Sequence, residues 1–290
     1  MDEMHGGVGG GAGAASAPTP HLPGPLLVGR RAVVTGGAAG IGGAIVAAFA
    51  AHGATVLAVD RDEAALAALP ARLGAGAAVT PLALDVTADD APARIAAASP
   101  EPDVLVNNVG HFLDPPTPFA DAPEERWAAI EAVNLTHVLR LTRALLPGMV
   151  AHGRGGAVVN LTTVEAHRGI PGHAVYAACK AAVTQFGRSL AVEVGPHGIR
   201  VNAIAPDVVE TPQLPYSDWV PLEERWRWAT WAPLGRPGRA DDVAGAALFL
   251  ASPLGAFVTG TTVHVDGGTG AAGGWYPRHA GGWTNRPLDP

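Results

Sequence analysis

The sequence predicts an α/β fold, a doubly wound parallel sheet of about seven strands with helices on both faces, in a single domain. Short apolar segments alternate with helical segments along most of the chain, and a glycine-rich turn follows the first apolar segment. The length of 290 residues, with 48% hydrophobic and 16% charged residues, suits one large core. These three observations agree with one another.

The predicted strands are short runs of β-branched and aliphatic residues, with little alternation of polar and apolar positions. Such runs are typical of parallel strands that are buried on both faces. They span residues 32–35, 55–59, 79–84, 104–106, 156–162, 199–205 and 262–265. The predicted helices between them span residues 41–52, 63–73, 91–98, 124–146, 174–194 and 240–250.

The ends of the chain differ in composition from its middle. Residues 1–25 are rich in Gly, Ala and Pro and predict a disordered leader, and residues 26–268 form the predicted domain. Within it, residues 207–232 are rich in Pro and Trp and interrupt the alternation, which predicts a lid over a substrate. A segment packed on its own subunit or on a neighbour is the alternative. Residues 269–290 form an aromatic C-terminal extension.

Composition excludes several classes of function. A net charge of −7 argues against nucleic-acid binding, and one cysteine, Cys179, excludes a disulfide framework. The 11 histidines show no paired spacing, so no metal site is expected. The acidic start lacks the pattern of a signal peptide, and the charge-free stretches 32–59 and 243–265 contain glycines or a proline. We expect a cytoplasmic protein that neither binds nor crosses a membrane.

The glycine-rich turn lies between the first predicted strand and the first predicted helix. Its residues Gly36, Gly40, Ile41 and Gly42 would let the backbone approach a pyrophosphate at the start of the helix. Asp60 ends the second strand, 18 residues after Gly42, and would accept hydrogen bonds from ribose hydroxyls. Because a carboxylate repels a 2′-phosphate, NAD is favoured over NADP. Arg61 could partner that phosphate, so NADP stays as the alternative.

Lys180 is the only lysine among 19 basic residues. Tyr176 lies four residues before it on a predicted helix, so the two side chains share a face. An ammonium near a phenol favours the phenolate and lowers the pKa of the tyrosine, and its compact head needs less space than a guanidinium. This pair is the candidate proton-transfer site. Chance survival of one lysine is the alternative, and Cys179 is interpreted as a packing residue.

From about Arg31 to Gly268 the chain resembles the short-chain dehydrogenase/reductase family. The resemblance rests on a set of motifs in the family's order and implies a Rossmann-type fold. They are Thr35-Gly36 with Gly40-Ile41-Gly42, Leu84-Asp85-Val86, Asn107-Asn108-Val109-Gly110, Arg200-Val201-Asn202-Ala203-Ile204-Ala205-Pro206 and Val265-Asp266-Gly267-Gly268.

The resemblance implies a role for each matching residue. Tyr176 would be the general acid and base, Lys180 would lower its pKa and bind the ribose, and Asn134 would hold a water beside the lysine. Thr163 stands where the family has serine and would steady the substrate oxygen. The remaining implied cofactor contacts are Asp85, Val86, Asn107, Asn108, Pro206, Val209 and Thr211.

These residues predict an NAD(H)-dependent oxidoreductase that interconverts a secondary alcohol and a ketone, on a bulky apolar substrate such as a polycyclic, terpenoid or steroid-like one. The resemblance also implies a homo-oligomer, a tetramer or a dimer. Asp207 stands where the family has glycine, and we expect its charge to favour the oxidised cofactor. Two alternatives stay open: a 3-oxoacyl-thioester reductase, and a cofactor-binding protein with little turnover. Schiff-base chemistry on Lys180 is a third alternative, with less support from the sequence.

Overall fold

The computed structural model describes residues 24–74, 76–273, 276–277 and 283–284. Its centre is one parallel sheet with the strand order β3-β2-β1-β4-β5-β6-β9. The predicted doubly wound sheet is confirmed. The seven strands of this sheet are β1 (Arg31–Thr35), β2 (Thr55–Asp60), β3 (Val79–Ala83), β4 (Val104–Asn107), β5 (Gly156–Leu161), β6 (Ile199–Pro206) and β9 (Thr262–Val265). Two short pairs lie outside it: β7 (Val209–Glu210) with β8 (Gly238–Arg239), and β10 (Tyr276–Pro277) with β11 (Trp283–Thr284).

Helices cover both faces of the sheet. Their bounds are α1 (Gly40–Ala51), α2 (Glu63–Leu73), α3 (Ala91–Ala98), α4 (Trp127–Glu131), α5 (His137–Ala151), α6 (Ala174–Val194), α7 (Tyr216–Trp219), α8 (Trp228–Trp231), α9 (Ala240–Ala251) and α10 (Thr269–Ala272). Helices α1, α2 and α9 pack on one face through residues such as Phe49 and Leu250, while α3, α5 and α6 pack on the other through Ile95 and Leu145. Each apolar cluster is continuous because strand side chains alternate between the faces.

The strand order reverses between β1 and β4, and this reversal positions the site. From β1 the chain runs outward through β2 and β3, then returns to β4 on the other side of β1. The loops after β1 and β4 therefore leave in different directions and open a crevice at the carboxyl ends of the strands. Open α/β sheets bind their ligands in this crevice.

The long helix predicted over residues 124–146 is interrupted in the structure. It begins as a 3₁₀ turn, continues as α4, widens into a π-helical turn at Ala132–Thr136, and resumes as α5. It also runs past Pro147 to Ala151, because Leu145 and Met149 are buried in the core. The free energy gained by burying these side chains outweighs the cost of placing a proline inside the helix.

The predicted lid segment is folded into short elements. Between Asp207 and Ala232 the chain forms β7, α7, a 3₁₀ turn at Leu222–Arg227, and α8. The predictions for the leader, for Trp275 and for the side chains of the C-terminal extension lie outside the described residues. Within the described part of the chain, no helix has both the length and the apolar character to cross a bilayer.

Candidate active site

A cavity of about 840 Å³ opens at the carboxyl edge of the sheet, where the strand order reverses. Its wall runs from Gly36 and Asp60 at one end to Tyr176 and Trp231 at the other. Most of the residues singled out in the sequence therefore meet in one space, although they come from distant parts of the chain. The two ends differ in chemistry and are taken in turn.

Close backbone packing shapes the glycine-rich turn. A Cβ on Gly42 would collide with the carbonyl oxygen of Gly36 and would lie 2.6 Å from the side-chain nitrogen Nδ2 of Asn108. Asn108 donates through Nδ2 to the carbonyl oxygens of Thr35, at 3.0 Å, and Gly36, at 3.3 Å. Gly36, Gly40 and Ile41 line the cavity, whereas Gly42 supports them from behind. This cradle suits a pyrophosphate at the N-terminus of α1.

Asp60 ends β2 beside this turn and lines the cavity. Its Oδ2 accepts a hydrogen bond from the backbone N–H of Ala38 and its Oδ1 accepts one from Asp62, both at 3.1 Å. Each oxygen keeps a lone pair for a ribose hydroxyl, so the site fits the adenosine half of a dinucleotide. Arg61 lines the same end of the cavity, so both groups that bear on a 2′-phosphate are present there.

The remaining predicted cofactor contacts divide into two groups. Asp85, Val86, Asn108, Pro206, Val209 and Thr211 line the cavity. Asn107 does not: its side chain is buried behind the wall, where Nδ2 donates to Asn160 Oδ1 at 2.9 Å and to Thr142 Oγ1 at 3.2 Å. The structure therefore gives Asn107 a supporting position between β4, β5 and α5. Neighbouring residues on a strand face opposite ways, which accounts for the difference from Asn108.

Tyr176 and Thr163 lie together at the other end of the cavity. Burial raises the pKa of the Tyr176 phenol above its usual value, although the Thr163 hydroxyl acts in the opposite direction. Thr163 Oγ1 accepts a hydrogen bond from the backbone N–H of Glu165 at 3.3 Å, which leaves its own hydrogen free to donate. The arrangement can hold a carbonyl oxygen between a phenol and a hydroxyl.

Lys180 lies one helical turn after Tyr176 on α6, with Nζ 5.9 Å from the centre of the tyrosine ring. The side chain is buried, and Nζ donates to the carbonyl oxygen of Leu161 at 3.1 Å. Burial lowers the pKa of Lys180 to about 8. We expected the lysine to lower the pKa of Tyr176, but burial of the phenol and the charge of Glu165 raise that pKa, and the opposing group is the Thr163 hydroxyl.

Asn134 sits in the π-helical turn and is buried, and it does not line the cavity itself, although its neighbours Ala132 and Val133 do. Its amide is anchored on His111, accepting from the backbone N–H at 3.1 Å and donating to the carbonyl oxygen at 2.8 Å. Gly110 lies between Asn134 and Lys180: a Cβ there would be 2.5 Å from Nζ and 3.1 Å from Asn134 Oδ1. Glycine is therefore required for the two side chains to approach.

Sequence reasoning missed His137, which lies beneath this group. The imidazole is buried, and Nε2 is 3.2 Å from the carbonyl oxygen of Val109. Burial, followed by the nearby Lys180, lowers the pKa of His137 to about 4, so the ring is neutral at ordinary pH. Its position three residues after Asn134, on the same helical face, was the available signal.

Sequence reasoning also missed Arg168, which changes the interpretation of Asp207. Its guanidinium donates to Asp207 Oδ2 at 2.7 Å and to both carboxylate oxygens of Glu165, at 3.1 and 3.2 Å. Asp207 is therefore paired with the guanidinium of Arg168. We expected the charge of Asp207 to act on the cofactor, but this ion pair offsets it. Burial raises the pKa of Asp207 above its usual value, although the Thr269 hydroxyl and then Arg168 oppose that rise.

The wall around Tyr176 is mainly apolar. It contains Phe112, Leu113, Ile170, Leu214, Tyr216 and Trp231. Tyr216 lies at the centre of an aromatic cluster, with ring centres 5.4 Å from Trp219, 5.8 Å from Trp228 and 6.5 Å from Trp231. Of the four tryptophans in the predicted lid, only Trp231 lines the cavity. Trp228 is buried, whereas Trp219, Trp226 and Trp231 itself are at least half exposed.

Comparison with known proteins identifies relatives along most of the chain. Residues 36–270 match the sequence profile of a family described as enoyl-(acyl carrier protein) reductase. The chain is 36% identical over 243 residues to an L-xylulose reductase of Bos taurus, covering 83% of this chain and 97% of that protein. It is 38% identical over 248 residues to a 3-oxoacyl-[acyl-carrier-protein] reductase of Vibrio cholerae, covering 83% of this chain and 98% of that protein.

Solved structures share the fold as well as the sequence. A protein described as a member of the short chain dehydrogenase/reductase family superposes with a TM-score of 0.76 at 37% identity, covering 85% of this chain and 99% of its own. A 3-oxoacyl-[acyl-carrier protein] reductase from Brucella melitensis, solved with bound NAD, gives a TM-score of 0.76 at 36% identity. The match covers 84% of this chain and 92% of that protein.

Proposed function

The chain belongs to the short-chain dehydrogenase/reductase family and is an oxidoreductase that uses a nicotinamide cofactor, and from this premise we propose its finer function. It interconverts a secondary alcohol and a ketone, with NAD(H) as cofactor, on a substrate with a bulky apolar body. The observation that carries the proposal is the single cavity that joins the glycine cradle and Asp60 to Tyr176, Thr163 and Lys180.

NAD is the proposed cofactor because Asp60 ends β2 beside the glycine turn and lines the cavity where the adenosine ribose would lie. A carboxylate accepts hydrogen bonds from the 2′- and 3′-hydroxyls and repels a 2′-phosphate. The Brucella melitensis relative with bound NAD supports this choice. When bound, the nicotinamide supplies or accepts the hydride at its C4 atom.

The chain's own residues would manage the proton and the substrate oxygen. Thr163 donates its hydroxyl hydrogen to the carbonyl oxygen, and the Tyr176 hydroxyl transfers a proton to that oxygen as the ketone is reduced. In the reverse direction the phenolate takes the proton back. A phenol whose pKa is raised by burial is protonated at neutral pH, so it can donate a proton in the reduction direction.

Lys180 and Asn134 would reload the tyrosine with a proton. Nζ is fixed by Leu161 and lies next to Gly110, with Asn134 on the far side of that glycine. A cation with a pKa of about 8 is mostly protonated at neutral pH and can exchange a proton near the phenol. The same ammonium can donate hydrogen bonds to ribose hydroxyls.

The apolar wall supports a substrate with a large hydrocarbon body. Aromatic side chains such as Tyr216 and Trp231 present wide apolar surfaces, and desolvating them favours a ligand of similar character. A 3-oxoacyl thioester is the second candidate, because the Vibrio cholerae and Brucella melitensis relatives carry that name. Its acyl chain would also suit an apolar wall.

The test follows oxidation of NADH by the full-length protein with two substrate sets: cyclic ketones, and acetoacetyl-coenzyme A as a soluble thioester. We expect turnover of the cyclic ketones. Tyr176→Phe should abolish turnover while NADH still binds, as measured by fluorescence. Thr163→Ser keeps a hydroxyl and should retain activity, whereas Thr163→Val removes it and should lower kcat by about 100-fold. Preference for the thioester would favour the second candidate, and substantial turnover by Tyr176→Phe would refute the mechanism.

A further inference from the structure

Two carboxylates face the substrate end of the cavity, and the mechanism uses neither of them. Glu165 and Asp207 both line the wall, the first from the loop after β5 and the second from the loop after β6. Their side chains are 13% and 9% exposed. Carboxylates this well buried in an otherwise apolar wall carry a desolvation cost, so a chemical role is expected.

Arg168 holds the two carboxylates in place across the mouth of the cavity. It binds both oxygens of Glu165 in a fork and only one oxygen of Asp207, Oδ2. The Thr269 hydroxyl also interacts with Asp207, and the carboxylate keeps further lone pairs that can accept from a ligand in the cavity that it lines. Two carboxylates against one guanidinium leave one net negative charge at this end.

The position of these groups relative to the reacting atoms is also defined. The backbone N–H of Glu165 donates to the Thr163 hydroxyl at 3.3 Å, and both residues line the cavity, so Glu165 is anchored beside the residue that would hold the reacting carbonyl. Its charge acts on both Tyr176 and Tyr216, and the charge of Asp207 acts on Tyr216. Both carboxylates line the same cavity as the catalytic tyrosine and Tyr216.

In the described part of the chain, this part of the wall has no basic side chain of its own. Among the described residues that line the cavity, the basic side chains are Arg61, at the adenosine end, and Lys180, beside Tyr176. The pKa of His111 is lowered by burial, so this cavity-lining residue carries little charge at neutral pH. An anionic group of a substrate would be repelled by the two carboxylates, and no unpaired basic side chain in this part of the described wall would bind it.

We infer that Asp207 and Glu165, held by Arg168, determine specificity by binding a hydrogen-bond donor of the substrate, an ammonium or a hydroxyl, on the side of the reacting carbonyl that faces Tyr216. The inference rests on the proposed function, since it assigns a second polar group to the same apolar substrate. Amino ketones and hydroxy ketones form the favoured class, and ketones with a carboxylate at that place form the excluded class.

The test uses four aryl ketones that share one carbonyl and differ only in the para group: 4-acetylbenzylamine, 4-(hydroxymethyl)acetophenone, 4-methylacetophenone and 4-acetylbenzoate. Binding is measured by calorimetry on the full-length protein saturated with NAD, which cannot reduce a ketone. Turnover is measured separately with NADH. The expected order of affinity is amine, hydroxymethyl, methyl and carboxylate, with about tenfold between amine and methyl.

Three variants separate specificity from a purely structural role. Asp207→Asn and Glu165→Gln should reduce the preference for the amine over the methyl ketone by about tenfold, with a smaller effect on the methyl ketone itself. Arg168→Gln leaves the carboxylates uncompensated and should increase that preference. Asp218→Asn removes a charge from the same segment on an exposed residue outside the cavity wall, and should leave the order unchanged.

The outcomes for the two proposals are distinguishable. Equal affinity for all four ketones, or a uniform loss of affinity in the three variants, would overturn the specificity proposal and leave Arg168 as a structural link. The expected order of binding together with an absence of NADH oxidation would support the specificity proposal and count against the proposed reaction.

Discussion

Replacement of Lys180 by methionine should stabilise the protein at neutral pH. The ammonium of Lys180 is buried, and its pKa lies at about 8, against 10.5 for the free side chain. Each pH unit of such a difference corresponds to about 1.4 kcal/mol. The folded protein therefore carries a cost of about 3 kcal/mol for holding a protonated lysine below pH 8.

The pH dependence of this effect has a defined sign and window. Between pH 8 and 10.5 the unfolded chain still binds the proton and the folded chain does not, so the stability of the wild-type protein rises with pH across that interval. Methionine has no such titration. The free energy of unfolding of the wild type minus that of Lys180→Met should therefore rise by about 3 kcal/mol across this range and stay constant below it.

Urea unfolding of both proteins, without cofactor and at one protein concentration, measures this difference from pH 6.5 to beyond pH 10.5. Titrating groups that do not interact with Lys180 cancel in the difference, and introducing Cys179→Ala into both proteins removes the neighbouring thiol, whose pKa the lysine lowers. Methionine also loses the hydrogen bond to Leu161, which shifts the whole curve by a constant. A difference that is flat with pH, or that falls between pH 8 and 10.5, would refute the assignment of Lys180 as a buried, destabilised cation.

Three further predictions concern other parts of the site. The pKa of His137 is about 4 against 6.5 for the free side chain, so acid should destabilise the wild type by about 3 kcal/mol between pH 6.5 and 4; His137→Gln should lack this loss in urea unfolding. Gly42→Ala should cost about 1–3 kcal/mol and weaken NADH binding because its Cβ collides with the turn, whereas Gly245→Ala, in open space on α9, should be neutral or stabilising in thermal melts. Asp60→Asn should raise affinity for NADP relative to NAD by about tenfold in competition titrations, and an unchanged ratio would contradict the role of its charge.

The regular elements could be predicted because local sequence and burial agree in them. Helices α2, α3 and α6 and strand β9 have the predicted bounds, since apolar periodicity and end signals coincide there. The interruption of the long helix could not be predicted. Within the π-helical turn, Asn134 forms hydrogen bonds with His111, which is 23 positions away in sequence, and such a contact leaves no local pattern.

The site residues also fall into two groups, those that a local sequence pattern predicts and those that only the fold brings together. The glycine turn and the tyrosine–lysine pair are local patterns, so spacing alone indicated them. The contact between Arg168 and Asp207 joins residues 39 positions apart on two loops. Neither residue is part of a periodic pattern, and only the fold brings them together. The same holds for Asn107, whose direction is set by the strand and cannot be read from its motif.

The structure also explains why one lysine persists in a chain that otherwise uses arginine. Nζ of Lys180 lies so close to Gly110 that a single added carbon on that glycine would be 2.5 Å away. A planar guanidinium needs more width than an ammonium, and it keeps its charge at every accessible pH. A group with a pKa near 8 can both donate and recover a proton under ordinary conditions. The steric limit and the proton-transfer role therefore select the same residue, and the cost of burying it is the stability that Lys180→Met should recover.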